Sequence, residues 1–515
     1  MGKILIRTNG NSRIGLGHLF RMKNLASRFP RKKIIFILDY KSKIVKKILK
    51  EKCIFLYNKN EKFKSQKDDA NKVKEILKNI RTDLIIIDDY RFDINWEKFF
   101  FGSIKLAVFD DNNKKKHKCN FLIDSKWVGN STYERYKYLV NKDAIKLLGP
   151  KYAIIKKDFR NKHINKKCFN LLFYIGGGGD FKKYKKFLIG IASRFQRFKK
   201  IKLIIIKGPY SKNNFYLNSE LKKFSNIEIV EENLNINNIL NKIDLYLGVA
   251  SSIIYELNNK NIPSILFSVN KNQENSIVSF NDLGFPFLIS QNDIFNQSRK
   301  VIILIEYFIK NISRIKKLNK NKLAIDKKGA NRISNILIDY KKLKDNKLNQ
   351  PIYYSKNSFK KKNGCYKVTD DLINNYLLSR NIFSNRKNSI NSNLIKNIDH
   401  YLWWFKEPKK LYYLLRDNKI RLYFYHKIIN VKLTKYYYGG WFVTNNKIII
   451  SDIINVINWQ IKKFKKYRWL AIIQKKNYFV NKINLYLGFS KVPFLKKHRN
   501  FFSKLKANQY NLLIK

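Results

Sequence analysis

The chain has 515 residues, which suits about three domains, and it is 44% hydrophobic and 15% aromatic; that composition excludes a wholly disordered protein. Lys and Arg number 107 against 37 Asp and Glu, a formal charge of +70, and such a balance favours polyanions such as nucleic acid, anionic lipid or phosphate-bearing substrates. The Lys residues are spread through every segment beside abundant Asn and Ile, the bias of an AT-rich coding sequence, so no specific nucleic-acid role follows, only a weak attraction to anionic lipid.

The opening residues, Met1 to Arg7, are too short an apolar run for a signal peptide and are expected to form a first strand. Further short β-rich runs follow at Lys33–Leu38, Leu84–Ile87, Leu106–Phe109, Leu171–Ile175, Ile201–Ile206, Leu245–Leu247 and Ile262–Phe267. Amphipathic, helix-length stretches such as His18–Arg28, Ala70–Asn79 and Lys182–Phe198 lie between them. Strands alternating with helices predict an α/β fold with parallel sheets. The pattern occurs twice, over residues 1–160 and 161–340, each with a glycine-bearing turn after its first strand. Two such Rossmann-like domains would hold a ligand at the carboxyl ends of their strands. Residues 341–365 are polar and Lys/Asn-rich, the composition of a linker. Residues 366–515 are rich in Tyr, Phe and Trp, with antiparallel-type runs at Lys410–Leu415, Lys419–Tyr425 and Tyr436–Thr444, a helix at Ser451–Lys466 and a strand at Trp469–Gln474. They form a third, α+β domain.

No apolar stretch approaches the ~20 residues of a membrane span. Cys53, Cys119, Cys168 and Cys365 are far apart in sequence, which fits a reducing cytoplasm. The six His form no ligand-spaced cluster, so no metal site is expected. Oligomeric state is not legible.

Three segments carry candidate chemistry. In the first, Arg7 to His18, Gly15 and Gly17 allow a sharp turn and close approach to a ligand. His18 then stands at the start of a helix, where an imidazole takes a proton from water near neutral pH or, alternatively, only caps the turn. The second is Gly176–Gly179, including Gly177 and Gly178, before Asp180. It lacks the Lys-Ser/Thr ending of a nucleoside triphosphate loop, which argues against ATP hydrolysis; it serves a phosphate or is a tight strand–helix turn. The third runs from Gly248 to Glu256. There Ser251 and Ser252 suit a phosphate and Glu256, one turn on, suits a ribose diol. Asn272 and Gln273 follow with amides suited to sugar hydroxyls. Each polar residue taken singly serves equally as an N-cap or surface position.

The order of these clusters resembles the nucleotide-sugar hydrolases of pseudaminic acid biosynthesis (UDP-2,4-diacetamido-2,4,6-trideoxy-β-L-altropyranose hydrolases) and related spore-coat polysaccharide proteins. Gly15-Leu-Gly-His-Leu-Phe-Arg-Met-Lys-Asn-Leu-Ala26 matches their Gly-x-Gly-His signature and includes Arg21. Further matches are Ile87-Asp-Asp-Tyr90, Phe109-Asp-Asp111, Leu148-Gly-Pro-Lys-Tyr-Ala153 with Asp158-Phe159, and Asp326 to Arg332. The resemblance implies a GT-B-like pair of Rossmann domains and hydrolysis of a UDP-amino-sugar at its anomeric carbon, with no cofactor. It implies His18 as general base on a loop shaped by Gly15 and Gly17, with Arg21 on the substrate side. It implies Glu256 on the uridine ribose, and Ser251, Ser252, Gly177 and Gly178 facing the diphosphate. Asn272 and Gln273 would face the sugar or its phosphate. The family's Gly-Gly-Ser-Thr-Thr reads Ala250-Ser-Ser-Ile-Ile254 here.

The third domain resembles GNAT acetyltransferases acting on amino-sugar nucleotides. The resemblance rests on Leu378-Ser-Arg-Asn381, Arg386, Ile398-Asp-His-Tyr-Leu-Trp403, and Asn477 through Asn484-Leu-Tyr-Leu-Gly-Phe489. It implies acetyl-CoA as cofactor, held by a splayed strand at Tyr438–Thr444, with Val443, Asn477 and Tyr486 as site residues. The glycine-rich pyrophosphate loop of that family is absent after Thr444, so the domain is either an acetyltransferase or a degenerate copy kept for architecture. The combined expectation is a cytoplasmic UDP-amino-sugar hydrolase fused to an acetyltransferase-like domain, serving nonulosonic-acid synthesis. A GT-B glycosyltransferase and a non-catalytic sugar-nucleotide or polyanion binder are the alternatives.

Overall fold

Runs of Ile, Leu, Val and Phe with few polar interruptions become strands buried on both faces, the pattern of parallel sheets covered by helices. The computed structural model of the chain describes residues 2–515 except 12–13, 59, 130, 156–167, 178, 199, 212–214, 232–235, 270–279, 281–285, 319–322, 324, 340–361, 390, 408, 446–447 and 503–506. The chain divides into two units, Met1–Tyr354 and Ser355–Lys515. The boundary lies inside the expected linker, within residues outside the described set.

The first unit holds two sheets. One comprises β1 (Lys3–Thr8), β2 (Ile34–Leu38), β3 (Lys52–Phe55), β4 (Thr82–Asp88), β5 (Lys105–Phe109), β6 (Phe121–Asp124) and β7 (Ile145–Leu148). Their order is β3-β2-β1-β4-β5-β6-β7, all parallel. The other comprises β8 (Phe169–Tyr174), β9 (Ile201–Ile206), β10 (Ile227–Val230), β11 (Leu245–Val249), β12 (Ser264–Phe267) and β13 (Phe287–Leu288). Its order is β10-β9-β8-β11-β12-β13, again parallel. The expected doubled parallel α/β pattern is therefore present. Strand order reverses between β1 and β4 and between β8 and β11, and each reversal opens a crevice at the strands' carboxyl ends. Gly248 makes the second reversal possible, because a Cβ there would lie 2.2 Å from the Tyr174 carbonyl oxygen.

One helix departs from sequence order. Gly329–Ile338 falls within residues 161–340, assigned by sequence to the second domain. Its Ala330, Ile333, Ile336 and Leu337 nevertheless join the core that contains Ile4, Ile34 and Phe36 of the first sheet. Arg332 ties it down by donating to the Lys151 carbonyl at 2.9 Å and pairing with Asp326. Gly329 lets it approach, since a Cβ there would meet the Ala153 oxygen. The late Asp326–Arg332 element is thus a clamp onto the turn Gly149–Ala153, while Asp158 and Phe159 lie outside the described residues.

The second unit is one mixed sheet of β14 (Gly364–Lys367), β15 (Leu411–Arg416), β16 (Lys419–Val431), β17 (Thr434–Val443), β18 (Arg468–Gln474), β19 (Ser490–Val492) and β20 (Tyr510–Ile514). The order is β14-β15-β16-β17-β18-β20-β19. β17 pairs antiparallel with β16 along its whole length. With β18 it pairs in parallel, at Tyr436, Tyr437 and Tyr438 only.

His426 of β16 sits in an aromatic core, stacked on Tyr412 at 5.4 Å and 4.1 Å from the Phe464 ring, with both ring nitrogens buried and unpartnered among the described residues. Burial, helped by the Lys410 charge, pushes its pKa down to about 4. Burial also holds His400 at about 4, against the raising effect of the hydrogen bond it donates to the Ile373 carbonyl. Both histidines titrate near 6.5 when unfolded, so the unfolded chain takes up protons first on acidification. The stability they favour is present above pH ~6.5 and is lost as pH falls towards 4. Melting of the second unit should therefore drop across that window, and His426→Phe should flatten the drop; an acid profile unchanged by this variant would refute the assignment.

Among the described residues no helix is long and apolar enough to cross a membrane. Nor do they hold a His/Cys/Asp/Glu cluster fit for a metal ion.

Candidate active site

The β1 strand ends at Thr8, and the chain turns through Asn11 and Gly15 into the helix Gly17–Ala26. The Gly15 amide donates to the Asn11 carbonyl at 2.7 Å, and Gly15 takes φ +83°, a value that a side chain would make costly. Gly17 opens the helix. His18 follows in its first turn, buried to 9% exposure, and Arg21 lies one turn on, over the same end of the sheet.

Both side chains converge on Asp88, the last residue of β4. His18 Nδ1 lies 2.6 Å from Asp88 Oδ1, Arg21 Nε donates to Oδ2 at 2.8 Å, and Arg21 Nη2 donates to Oδ1 at 2.5 Å. Burial would raise the Asp88 carboxyl, but the charges and hydrogen bonds of Arg21 and His18 outweigh it and hold it at about 2. Asp88 is thus ionised at neutral pH and accepts from Nδ1–H, which leaves Nε2 as the basic nitrogen. Nε2 has no hydrogen-bond partner among the described residues.

The next strand end adds to the cluster. Arg21 Nη1 reaches Asp111 Oδ2 at 3.4 Å, and the Tyr90 hydroxyl donates to Asp111 Oδ1 at 2.5 Å. Tyr90 stands edge-on to the His18 ring at 4.6 Å. Behind the cluster lies a second buried network. Asn9 donates to Asp89 at 2.8 Å, Arg91 bridges Asp89 and Asp39, and the fully buried Arg7 pairs with Asp39 and Asp69. Beside Asp111 a polar cleft opens between Asn112, Asn113, Lys126, Ser131 and Arg135.

At the second reversal, Gly176 adopts φ +91° after β8, and the Gly177 carbonyl accepts from the Tyr210 amide at 2.9 Å. Gly208 lies against Gly177 so closely that a Cβ would be 2.4 Å from its backbone. Ser251 and Ser252 are exposed before the helix Ile253–Asn259, and Ser252 makes no side-chain cap. Glu256 is half-buried in that helix, and its charge, after burial, helps push Tyr174 up to about 12. Glu256 and the glycine turn follow the ends of neighbouring strands, β11 and β8.

The two crevices are linked through side chains. The Tyr210 hydroxyl donates to the Gly10 carbonyl at 3.2 Å. The Tyr255 hydroxyl accepts from the Trp127 amide at 3.0 Å, and the Tyr255 phenol is raised by burial and by the Asp124 and Asp111 charges. Gly178, Asn272 and Gln273 lie outside the described residues.

Asp88, Tyr90 and Asp111 stand in the matched motifs without a role implied by sequence; the signal for them was a pair of aspartates directly after each apolar run that forms β4 and β5.

In the second unit, Val443 has both backbone groups engaged by the Asn385 carboxamide, at 2.8 and 3.2 Å. Asn477 caps the helix Tyr478–Tyr486 by accepting from Val480 N. Tyr486 is exposed. Asn381 holds Ile395 through both of its amide groups, and Arg386 donates to the Asn381 and Ser392 carbonyls.

No family model matches the chain. Over 286 residues, 53% of this chain, it is 26% identical to an uncharacterized protein of Methanocaldococcus jannaschii, and the match spans 56% of that protein's length. Over 282 residues, again 53% of this chain, it is 25% identical to the UDP-2,4-diacetamido-2,4,6-trideoxy-β-L-altropyranose hydrolase of Campylobacter jejuni and covers 94% of it. Solved structures that align include Staphylococcus aureus MnaA with UDP, at 11% identity over 67% of this chain and 98% of that one, TM-score 0.47. Acinetobacter baumannii MurG aligns at 9% identity over 65% and 99%, TM-score 0.47.

Proposed function

We propose that the first unit hydrolyses a UDP-amino-sugar at its anomeric carbon, with His18 as general base. The reading is carried by the His18–Asp88 pair, a buried carboxylate at 2.6 Å from Nδ1 in a strand-reversal crevice. It is supported by the relationship to the Campylobacter jejuni hydrolase. Residues 1–160 supply the base and residues 161–340 the nucleotide site, as a GT-B-like pair of Rossmann domains. Glu256 takes the ribose diol, and Gly177, Gly178, Ser251 and Ser252 meet the diphosphate. Asn272 and Gln273 serve the sugar or its phosphate. Water attacks the anomeric carbon as its proton passes to His18 Nε2. The bond from that carbon to the phosphate oxygen breaks, and its electron pair leaves on UDP. The step needs no cofactor and no metal.

The direct test is UDP release from UDP-2,4-diacetamido-2,4,6-trideoxy-β-L-altropyranose in ¹⁸O-water, with and without added sugar acceptors. The reading expects label in the free sugar. Label in UDP, release only with an acceptor (a glycosyltransferase), or binding without turnover would each overturn it.

We further infer that the second unit is GNAT-like and binds acetyl-CoA. Support comes from β17 and β18, which pair for three residues and then part, leaving the outer edge of β17 without a strand neighbour from Gly439 to Val443. Asn385 occupies that edge at Val443, so by the two-residue period pantetheine would pair with Trp441 and Gly439. Acetylation of a sugar amine would then precede removal of UDP, in a nonulosonic-acid pathway of the cytoplasm. Saturating acetyl-CoA, at about 100 times its Kd, should stabilise this unit by about 2.7 kcal/mol in the full chain. Melting that does not respond to acetyl-CoA would favour the degenerate alternative.

A further inference from the structure

Among the described residues His18 has one carboxylate in contact, and that carboxylate is already matched. Arg21 binds Asp88 through both Nε and Nη2, so the Asp88–Arg21 pair carries no net charge. An imidazolium formed beside this pair alone would be an uncompensated cation in a nearly buried place. A second anion is therefore needed, and the strand end of β5 places one there.

We propose that Asp111 is the counter-charge of the reacting imidazole, a positioning residue that acts on His18 through Arg21 and Tyr90. The proposal rests on the hydrolase reading for its purpose, not for its geometry. The described groups in contact with His18 are Arg21 from its own helix, Asp88 from β4 and Tyr90 from the turn after β4; Asp111, from the turn after β5, touches Arg21 and Tyr90 and stands one contact further out. With neutral His18, formal charges of −1 on Asp88, −1 on Asp111 and +1 on Arg21 sum to −1. Transfer of a proton from water to Nε2 brings the unit to zero. Charge neutrality is thus reached in the state that catalysis must stabilise.

The carboxylate is held for this task. Tyr90 fixes Oδ1, Arg21 approaches Oδ2, and the Arg21 guanidinium lies over the Phe109 ring, 5.5 Å from its centroid. Lys126 Nζ and Arg135 Nη2 hold the Asp111 backbone carbonyl at 3.2 and 2.9 Å, and Arg135 is itself paired with Asp124. Those two cations anchor the loop and leave the carboxylate to face Arg21.

The test is an NMR titration of the histidine rings in the intact ¹⁵N-labelled chain, with His18 identified by the signal lost in His18→Asn. Asp111→Asn should lower the His18 pKa by about one unit, and Arg21→Met should raise it by about one unit. Opposite signs exclude a general loosening, which would move both in the same direction. An unmoved His18 in Asp111→Asn, or shifts of the same sign, overturns the proposal. If Asp111→Asn melts before it can be titrated, Asp111→Ser is titrated in its place, and absence of a fall is fatal. The titration needs no substrate. A chain that shows both shifts yet releases no UDP would sink the hydrolase reading and leave this one standing. Where UDP is released, the acidic limb of kcat/KM in Asp111→Asn should move with the NMR value at unchanged KM.

Discussion

Asp88→Asn should slow UDP release by about 10³–10⁴-fold while leaving UDP affinity unchanged. The substitution is nearly isosteric, so the effect is electronic. An asparagine can present its NH₂ to His18 Nδ1, which places the ring proton on Nε2 and removes the lone pair that accepts from water. It also removes the anion that binds Arg21 at two points. His18→Asn should lose as much, and the double variant no more than either single one, because the two residues act as one unit. Calorimetry with UDP and a kcat measurement would check this. Near-normal turnover in Asp88→Asn would mean that some other group activates the water.

Arg7→Met should destabilise the first unit by about 3–5 kcal/mol. Arg7 is fully buried in β1 and donates through Nε and Nη2 to Asp69 at 3.2 and 2.6 Å, and through Nη2 to Asp39 at 2.6 Å. Methionine fills similar space but strands Asp69, which is wholly buried and would keep only the Tyr57 hydroxyl and the Trp96 indole as donors. Asp39 retains Arg91. Arg7→Lys should lose less, since it keeps the charge while forfeiting the fork of donors. Denaturant midpoints at constant m would report both variants, and an Arg7→Met midpoint equal to the parent's would show that the network adds no stability. Because Asp39, Asp89 and Asn9 belong to the same network, the expected loss extends to the strand end that carries His18.

Local sequence identified the chemistry better than it identified the partners. The Gly15–Gly17 spacing placed His18 at the start of a helix that follows the first strand, as found. The runs at Ile4–Ile6, Leu84–Ile87 and Leu106–Phe109 became β1, β4 and β5 because uninterrupted branched side chains suit a strand buried on both faces. The runs do not include β3, β6, β7, β10 and β13: β3, β7 and β10 carry charged residues or half-exposed positions at an edge, and β6 and β13 are only four and two residues long. The helix Gly329–Ile338 was assigned to the neighbouring domain because sequence order does not reveal where a chain crosses back.

Sequence alone determined the repeated strand–helix rhythm, the change of character near residue 366 and the histidine on its glycine turn, because each depends on spacing along one segment. Only the tertiary structure decided what surrounds that histidine. Asp88 lies 70 residues away and Asp111 lies 90 residues from Arg21. They meet because β1, β4 and β5 are neighbours in a parallel sheet, and parallel strands end on the same side.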